Sequence, residues 1–251
     1  MPKKNEKNDE IVISLDKFAV PSAIVVAGVV IATAIFFANK NKESSIDIED
    51  TENVAGEETD SNSQYQFDDA TTDISDAPYS GNIDTAKVAI VEFSDYLCGY
   101  CQRHVGEVYP SLVEKYIDTG DMIYVYREFS IHGEIADAQA MGGKCVFEDA
   151  GLETYLKYHK SAFMLGSMDA IYDIAENVGA NRTNVQTCIE SEKYREAIDI
   201  DYSAGFDAGV EGTPGFVVGI LDNDGNVTGK LIRGALPFDA FKQVIDSLLA
   251  E

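Results

Sequence analysis

The stretch "KVAIVEFSDYLCGYC", residues 87–101, runs from β-branched apolar residues directly into two cysteines with two residues between them. Its first part, "KVAIVEFS" (87–94), is bounded by turn-forming residues and predicts a short strand buried on both faces. Beyond the cysteines, Val105, Val108, Tyr109, Leu112, Val113 and Tyr116 recur at helical spacing, which predicts a helix through about Ile117. Cys98 then stands where strand gives way to helix. The first-turn N–H groups there have no intrahelical partner and the helix dipole is positive. Both effects favour the thiolate, the reactive form of cysteine. Cys101, one turn further in, can attack a mixed disulfide formed at Cys98. The rival reading is half of a zinc site, but structural zinc takes four ligands, usually as two close pairs. Cys145 and Cys188 stand alone, and His104, His132 and His159 make no second pair. A redox-active thiol pair, with no metal and no cofactor, is therefore expected.

Working outward, "DTGD" (118–121) breaks the helix and "MIYVYREF" (122–129) reads as a second strand, giving a parallel βαβ unit. The next long stretch has no strand pattern. Ala138, Met141 and Cys145, then Leu156, His159 and Phe163, suggest two helical segments between 133 and 165. Ile171, Ile174, Ala175 and Val178 mark another helix, and Val185, Cys188 and Ile189 one more. Strands return in "GFVVGIL" (215–221) and "NVTGKLIRG" (226–234), joined by the turn-forming "DNDG" as a hairpin. The chain closes on a helix with Phe238, Phe241, Val244, Ile245 and Leu248 along one stripe. The class is α/β: βαβ, a helical block over about 132–208, then ββα.

Together, "VEFSDYLCGYC" (91–101), "YREFSIH" (126–132) followed by an alanine-bearing helix reaching Cys145, "VQTCIE" (185–190) and "GVEGTPGFVVG" (209–219) resemble the DsbA-like thiol:disulfide oxidoreductases. The resemblance covers about residues 76–251 and implies a thioredoxin fold with an inserted helical domain. It implies that Cys98 is the exposed nucleophile and Cys101 the resolving thiol, together the redox disulfide. It also implies that Thr213-Pro214 is a substrate-binding loop carrying a cis-proline beside them. Glu92, in an otherwise apolar strand, would be a buried carboxylate exchanging its proton with the thiols, as such a residue does in the family. A carboxylate at an exposed strand end is the alternative.

The dipeptide Gly99-Tyr100 departs from the Pro-His usual in DsbA and is similar to that of DsbC-type isomerases, which also have Thr before the cis-proline. A histidine there would help hold the thiolate, and tyrosine cannot carry that charge. The isomerases carry an amino-terminal dimerisation domain, which this chain's amino-terminal region does not resemble. A protein disulfide oxidase is favoured, with an isomerase or reductase as the alternative. A third reading is a non-catalytic module binding extended peptides at the Thr213-Pro214 edge. Cys145 and Cys188 each fall on an apolar helical stripe, and some relatives of the family pair cysteines at these places. A structural disulfide is expected, against two separate buried thiols.

Residues 18–38, "FAVPSAIVVAGVVIATAIFFA", carry no charge. As a helix this stretch would be ~31 Å long, enough to cross a hydrocarbon core. No clear cleavage site follows it, so an uncleaved anchor is expected. Lys3, Lys4, Lys7 and Lys17 precede it while Lys40 and Lys42 follow, which places residues 1–17 in the cytoplasm and the remainder outside. Residues 39–75, rich in Asp, Glu, Ser, Thr and Asn, are expected to form a disordered acidic linker. Nineteen Lys and Arg against 44 Asp and Glu give a net charge of −25, which argues against nucleic acid or anionic lipid as the main partner. A strongly solvated acidic surface is the simplest account of it, and adaptation to high salt is the alternative. The expected partners are cysteine-containing exported proteins and a membrane-embedded reoxidant of the DsbB or VKOR kind.

Overall fold

In the computed structural model, which describes residues 64–250, six strands form one mixed sheet. They are β1 (Asp68–Asp73), β2 (Tyr79–Ser80), β3 (Val88–Ser94), β4 (Met122–Glu128), β5 (Gly215–Leu221) and β6 (Asn226–Arg233), in the order β1-β6-β5-β3-β4-β2. β3 pairs parallel with β4 and antiparallel with β5, and every residue of β3 and β4 is buried. Such strands read as continuous apolar runs because both faces are covered. The connection between them is α1 (Gly99–Glu107), α2 (Tyr109–Leu112) and a π-helical turn (Val113–Ile117). The single helix expected through Ile117 is thus interrupted. Pro110, in the first turn of α2, has no N–H to donate and its ring crowds the preceding turn.

Between β4 and β5 the chain leaves the sheet to form α3 (Glu134–Ser161), α4 (Met168–Val178), α5 (Arg182–Glu190) and α6 (Arg195–Asp207). The two segments expected between 133 and 165 lie on α3, which is broken at Gly151 by a left-handed φ of 77°. Ser167 caps α4 by accepting the Ala170 N–H, and Asn181 caps α5 by accepting the Asn184 N–H. Cys145 on α3 and Cys188 on α5 are disulfide-bonded, with Cα atoms 6.0 Å apart. Closing this loop restricts the unfolded chain by roughly 4 kcal/mol in the chain-entropy account. The chain returns through the β5–β6 hairpin, whose turn is held by Asp222 Oδ1 accepting the N–H groups of Asp224 and Asn226. The last helix, α7 (Phe238–Ala250), seats Phe241, Val244 and Ile245 against Ile90, Phe216 and Val218 of the sheet.

The acidic linker expected over 39–75 is corrected at its carboxyl end. Residues 68–73 are β1, paired antiparallel along its whole length with β6. The strand is held by backbone pairing and by cross-strand charge, Asp68 with Arg233 and Asp69 with Lys230, and buries only Ala70 and Thr72. Burial was the wrong criterion for it. The apolar span 18–38, its flanking lysines and the linker up to residue 63 lie outside the described residues. Among the described residues no helix is long and apolar enough to cross a membrane.

A buried ion network fastens the helical block to the sheet. Arg127 of β4 donates from Nε to Asp201 of α6 at 2.9 Å and from Nη1 to the Asp73 carbonyl at 2.9 Å. Lys144 of α3 reaches the other Asp201 oxygen at 2.7 Å, and the Glu128 N–H donates to it at 3.3 Å. One carboxylate therefore neutralises two cations that are almost fully removed from water. Asp201→Ala leaves both without it and is expected to cost roughly 3–5 kcal/mol in urea denaturation of the full chain. A loss below about 1 kcal/mol would mean that the network contributes nothing beyond packing.

Candidate active site

β3 ends at Ser94, and the next residue, Asp95, turns its carboxylate into the protein with none of its surface exposed. Oδ1 accepts the Leu97 N–H at 2.7 Å. Oδ2 accepts the N–H groups of Ile131 and His132 at 2.6 and 3.1 Å, and His132 Nδ1 lies 2.9 Å away. The Asp95 carbonyl accepts the Cys98 N–H at 3.0 Å. A single buried carboxylate thereby ties the β3–α1 turn to the β4–α3 loop. Three backbone N–H groups thus converge on this carboxylate, with the His132 ring beside it.

This turn places Cys98 at the N-cap of α1 with extended backbone (φ −89°, ψ 115°). Both thiols are free in this structure, and Cys98 Sγ donates to the Thr213 carbonyl at 3.2 Å. The Thr213-Pro214 peptide is cis and Pro214 is buried where the chain enters β5. The Cys98 thiol is lowered from about 9 to about 5. A hydrogen bond from the Cys101 thiol is the main cause, burial works against it, and the Thr213 side chain and the backbone N–H groups of Cys101 and Tyr100 add to it. Cys101, completely buried, is pushed strongly upward by loss of hydration, by its donation to Cys98 and by the nearby Glu92 carboxylate. The pair is split into one ready nucleophile and one thiol that stays protonated until a base takes its proton. Tyr100 projects outward beside the pair, with the Arg103 guanidinium 5.0 Å over its ring.

Glu92 is the carboxyl coupled to both thiols. It lies beneath the thiols with no exposed surface, which removes the strand-end alternative. Burial raises it from 4.5 to about 7, against a hydrogen bond from the Tyr124 hydroxyl at 2.9 Å. Tyr124 in turn lies 3.0 Å from His104 Nε2. His159 Nε2 is 3.7 Å from the same Glu92 oxygen, and its Nδ1 is 3.1 Å from the Tyr96 hydroxyl. Burial lowers both imidazoles to about 3, so both are neutral at any physiological pH. Room for this polar layer comes from Gly142 and Gly143 inside α3. A Cβ at Gly142 would sit 2.4 Å from the Tyr158 hydroxyl, and one at Gly143 3.2 Å from the Tyr96 hydroxyl. Each helix-interior glycine sacrifices about 1 kcal/mol of propensity to let a tyrosine approach.

The fold thus gathers Cys98, Cys101, Glu92, Thr213 and Pro214 at one end of the sheet. Cys145 and Cys188 pair with each other in the helical block. Sequence reasoning did not single out Asp95, Tyr96 or Tyr124, and it weighed the histidines only as metal ligands. The Gly142-Gly143 pair inside a helical pattern was the one available signal of a close approach. A direct check is the thiolate absorbance near 240 nm of the reduced full chain. It should rise with a midpoint near pH 5 that Cys98→Ala abolishes and Cys101→Ser shifts upward. A midpoint above pH 8 would contradict the assigned geometry.

Comparison with known proteins agrees with this fold. A family model described as Thioredoxin matches residues 75–247. Disulfide bond formation protein D of Bacillus subtilis is 21% identical over 175 residues, 66% of this chain and 74% of that protein. A Rickettsia typhi protein named as a candidate protein-disulfide oxidoreductase is 26% identical over 121 residues, 45% of this chain and 43% of its own length. The chain therefore spans less than half the length of the Rickettsia relatives it matches. Among solved structures, oxidised BdbD of Bacillus subtilis superposes with a TM-score of 0.63 at 19% identity, covering 74% of this chain and 100% of that one. The Wolbachia pipientis thiol-disulfide exchange protein alpha-DsbA2 gives 0.57 at 27% identity, covering 68% and 87%.

Proposed function

This chain belongs to the thioredoxin family, in its DsbA-like form with a helical insertion, and from that premise we propose that it is a membrane-anchored thiol:disulfide oxidoreductase that oxidises cysteines of exported proteins. The observation that carries the reading is Cys98, a thiol lowered to about 5 at the start of α1. Because the thiolate exists only in the reduced protein, whatever stabilises it makes the disulfide more eager to accept electrons. The linkage has a definite sign. A cysteine lowered on folding stabilises the reduced form fully above the unfolded value near pH 9, and the gain disappears as pH falls through 5.

The chemistry follows from the geometry. A substrate thiolate attacks Cys98 Sγ of the Cys98–Cys101 disulfide. The sulfur–sulfur bond breaks, its electron pair leaves on Cys101 Sγ, and protonated Glu92 returns a proton to that sulfur. The substrate's second thiolate then attacks its own sulfur in the mixed disulfide, and Cys98 leaves as the stabilised thiolate. The substrate is oxidised by two electrons and the enzyme reduced by two. The Thr213 carbonyl, beside Cys98 at the edge before β5, offers an acceptor to an extended substrate strand. A membrane-embedded reoxidant of the DsbB or VKOR kind completes the proposed cycle.

Equilibration of the full chain in glutathione buffers at pH 7 should give a reduction potential above about −200 mV, on the oxidising side of the glutaredoxins. A value near −270 mV would make the protein a reductant. Cys101→Ser should accumulate mixed disulfides through Cys98, and Cys98→Ser should accumulate none. Absence of thiol exchange by the wild-type protein would leave only the peptide-binding reading.

The proposed location rests on the uncharged span 18–38 and the lysines before it. Protease added to intact cells or spheroplasts should cleave within residues 39–63 and release the domain. Cleavage that requires permeabilised membranes would reverse the orientation and remove the oxidative role with it.

A further inference from the structure

Two buried donor chains converge on the Glu92 carboxylate. On one side His104 Nε2, Tyr124 OH and Glu92 Oε2 follow each other at 3.0 and 2.9 Å. On the other, Tyr96 OH, His159 Nδ1 and, across the ring, His159 Nε2 lead to the same oxygen at 3.1 and 3.7 Å. His159 Nε2 is buried without another partner. We propose that His159, held by Tyr96 with its Nε2–H directed at Glu92, is a positioning residue that sets the pH at which Glu92 exchanges its proton with Cys101. The inference rests on the oxidoreductase reading and deepens it.

In the proposed tautomer the Tyr96 hydroxyl, kept protonated by burial, donates to Nδ1 and leaves the ring hydrogen on Nε2. His159 is itself wedged between the Tyr126 ring, 4.8 Å away, and that of Phe163, 5.5 Å away, so it cannot turn aside. An N–H aimed at a carboxylate stabilises the ionised form and opposes burial. The separation of 3.7 Å is beyond hydrogen-bond length in this structure, and the proposal requires it to shorten when Glu92 ionises. His159 stays neutral above about pH 3, so its own titration does not enter the range of the reaction.

Other titratable groups face the layer. β4 presents Tyr124, Tyr126 and Glu128, all raised by burial, and the two phenols are protonated near neutrality. α1 presents His104 and the two thiols, and α3 presents Tyr155, also raised by burial. Glu92 changes charge within pH 5 to 9, and Cys98 does so at the lower edge of that range. In the step concerned, the Cys101 proton passes to the Glu92 carboxylate. The freed electron pair of Cys101 Sγ forms the bond to Cys98 Sγ, and the sulfur bound there leaves as a thiolate.

The test charges the full chain at Cys98 with glutathione and follows glutathione release from pH 5 to 9. Wild type should show a midpoint near 7. His159→Phe should move it upward by about one unit, slowing release at pH 7 about fivefold, while the Cys98 alkylation midpoint stays in place. His159→Gln, whose amide can still donate, should remain near wild type. Tyr96→Phe, which removes only the hydroxyl, should move the midpoint upward by about half a unit and decides the matter if His159→Phe does not fold. A midpoint unchanged in His159→Phe, or in Tyr96→Phe where that variant decides, overturns the inference. So does a His159→Gln midpoint shifted as far as that of His159→Phe. Failure of the wild type to release glutathione at any pH would instead overturn the oxidoreductase reading.

Discussion

Asp95 is the constraint on which the site depends. Its carboxylate is withdrawn from water, and a buried charge is tolerated only when donors replace the lost hydration. Those donors come from two places in the chain, Leu97 on one side and Ile131 with His132 on the other. Satisfying one carboxylate therefore fixes the turn that delivers Cys98 to the start of α1. It also fixes the loop from which the helical block departs. The low Cys98 value comes first from the Cys101 thiol and is helped by the Tyr100 and Cys101 N–H groups, which the turn brings to the sulfur. Fold and reactivity meet in these few hydrogen bonds.

The same logic governs the seam between sheet and helical block. An apolar seam would have been simpler to stabilise, since burying ion pairs gains little net energy over hydrophobic packing. Here Arg127, Lys144 and Asp201 lie to one side of the seam, and Glu92, Glu128, His159 and a group of tyrosines fill the other. Such a layer is sensitive to misplacement, because a shifted helix strands a buried charge or hydroxyl. That sensitivity keeps the insertion in one position over the thiols.

What the sequence made legible follows from how each element is stabilised. β3, β4, the hairpin and α7 bury side chains in regular patterns, so periodicity located them within a residue or two. The Cys-x-x-Cys spacing at a strand-to-helix junction, together with the motifs resembling the DsbA-like family, located the thiols and the Thr213-Pro214 loop. β1 was hidden because backbone pairing and surface charge hold it. α6 was hidden because its buried positions include Asp201 and Gly205, one in the ion network and one packed against Phe93 and Phe129. His104 carried no pattern, and His159 only that of a helical segment. Each became meaningful only when helices distant in sequence brought it to a phenol beside Glu92.

The buried layer also shapes how folding responds to acid. His104 and His159 are neutral in the folded protein down to about pH 3, whereas their unfolded counterparts take up protons below about 6.5. In that interval the unfolded chain binds more protons, so the histidines make stability fall as pH falls. Glu92, and Glu128 beside it, behave in the opposite sense. Raised by burial, they retain protons that the unfolded chain releases above about 4.5, so they make stability fall as pH rises. Each group contributes a slope of about 1.4 kcal/mol per pH unit within its own interval. Between about 4.5 and 6.5 the carboxyl slopes oppose those of the histidines. Below that interval only the histidine slopes remain, and above it only those of the carboxyls. A site that must hold an ionisable base in a dry interior thus offsets the acid sensitivity of its buried imidazoles across the range where Cys98 becomes a thiolate.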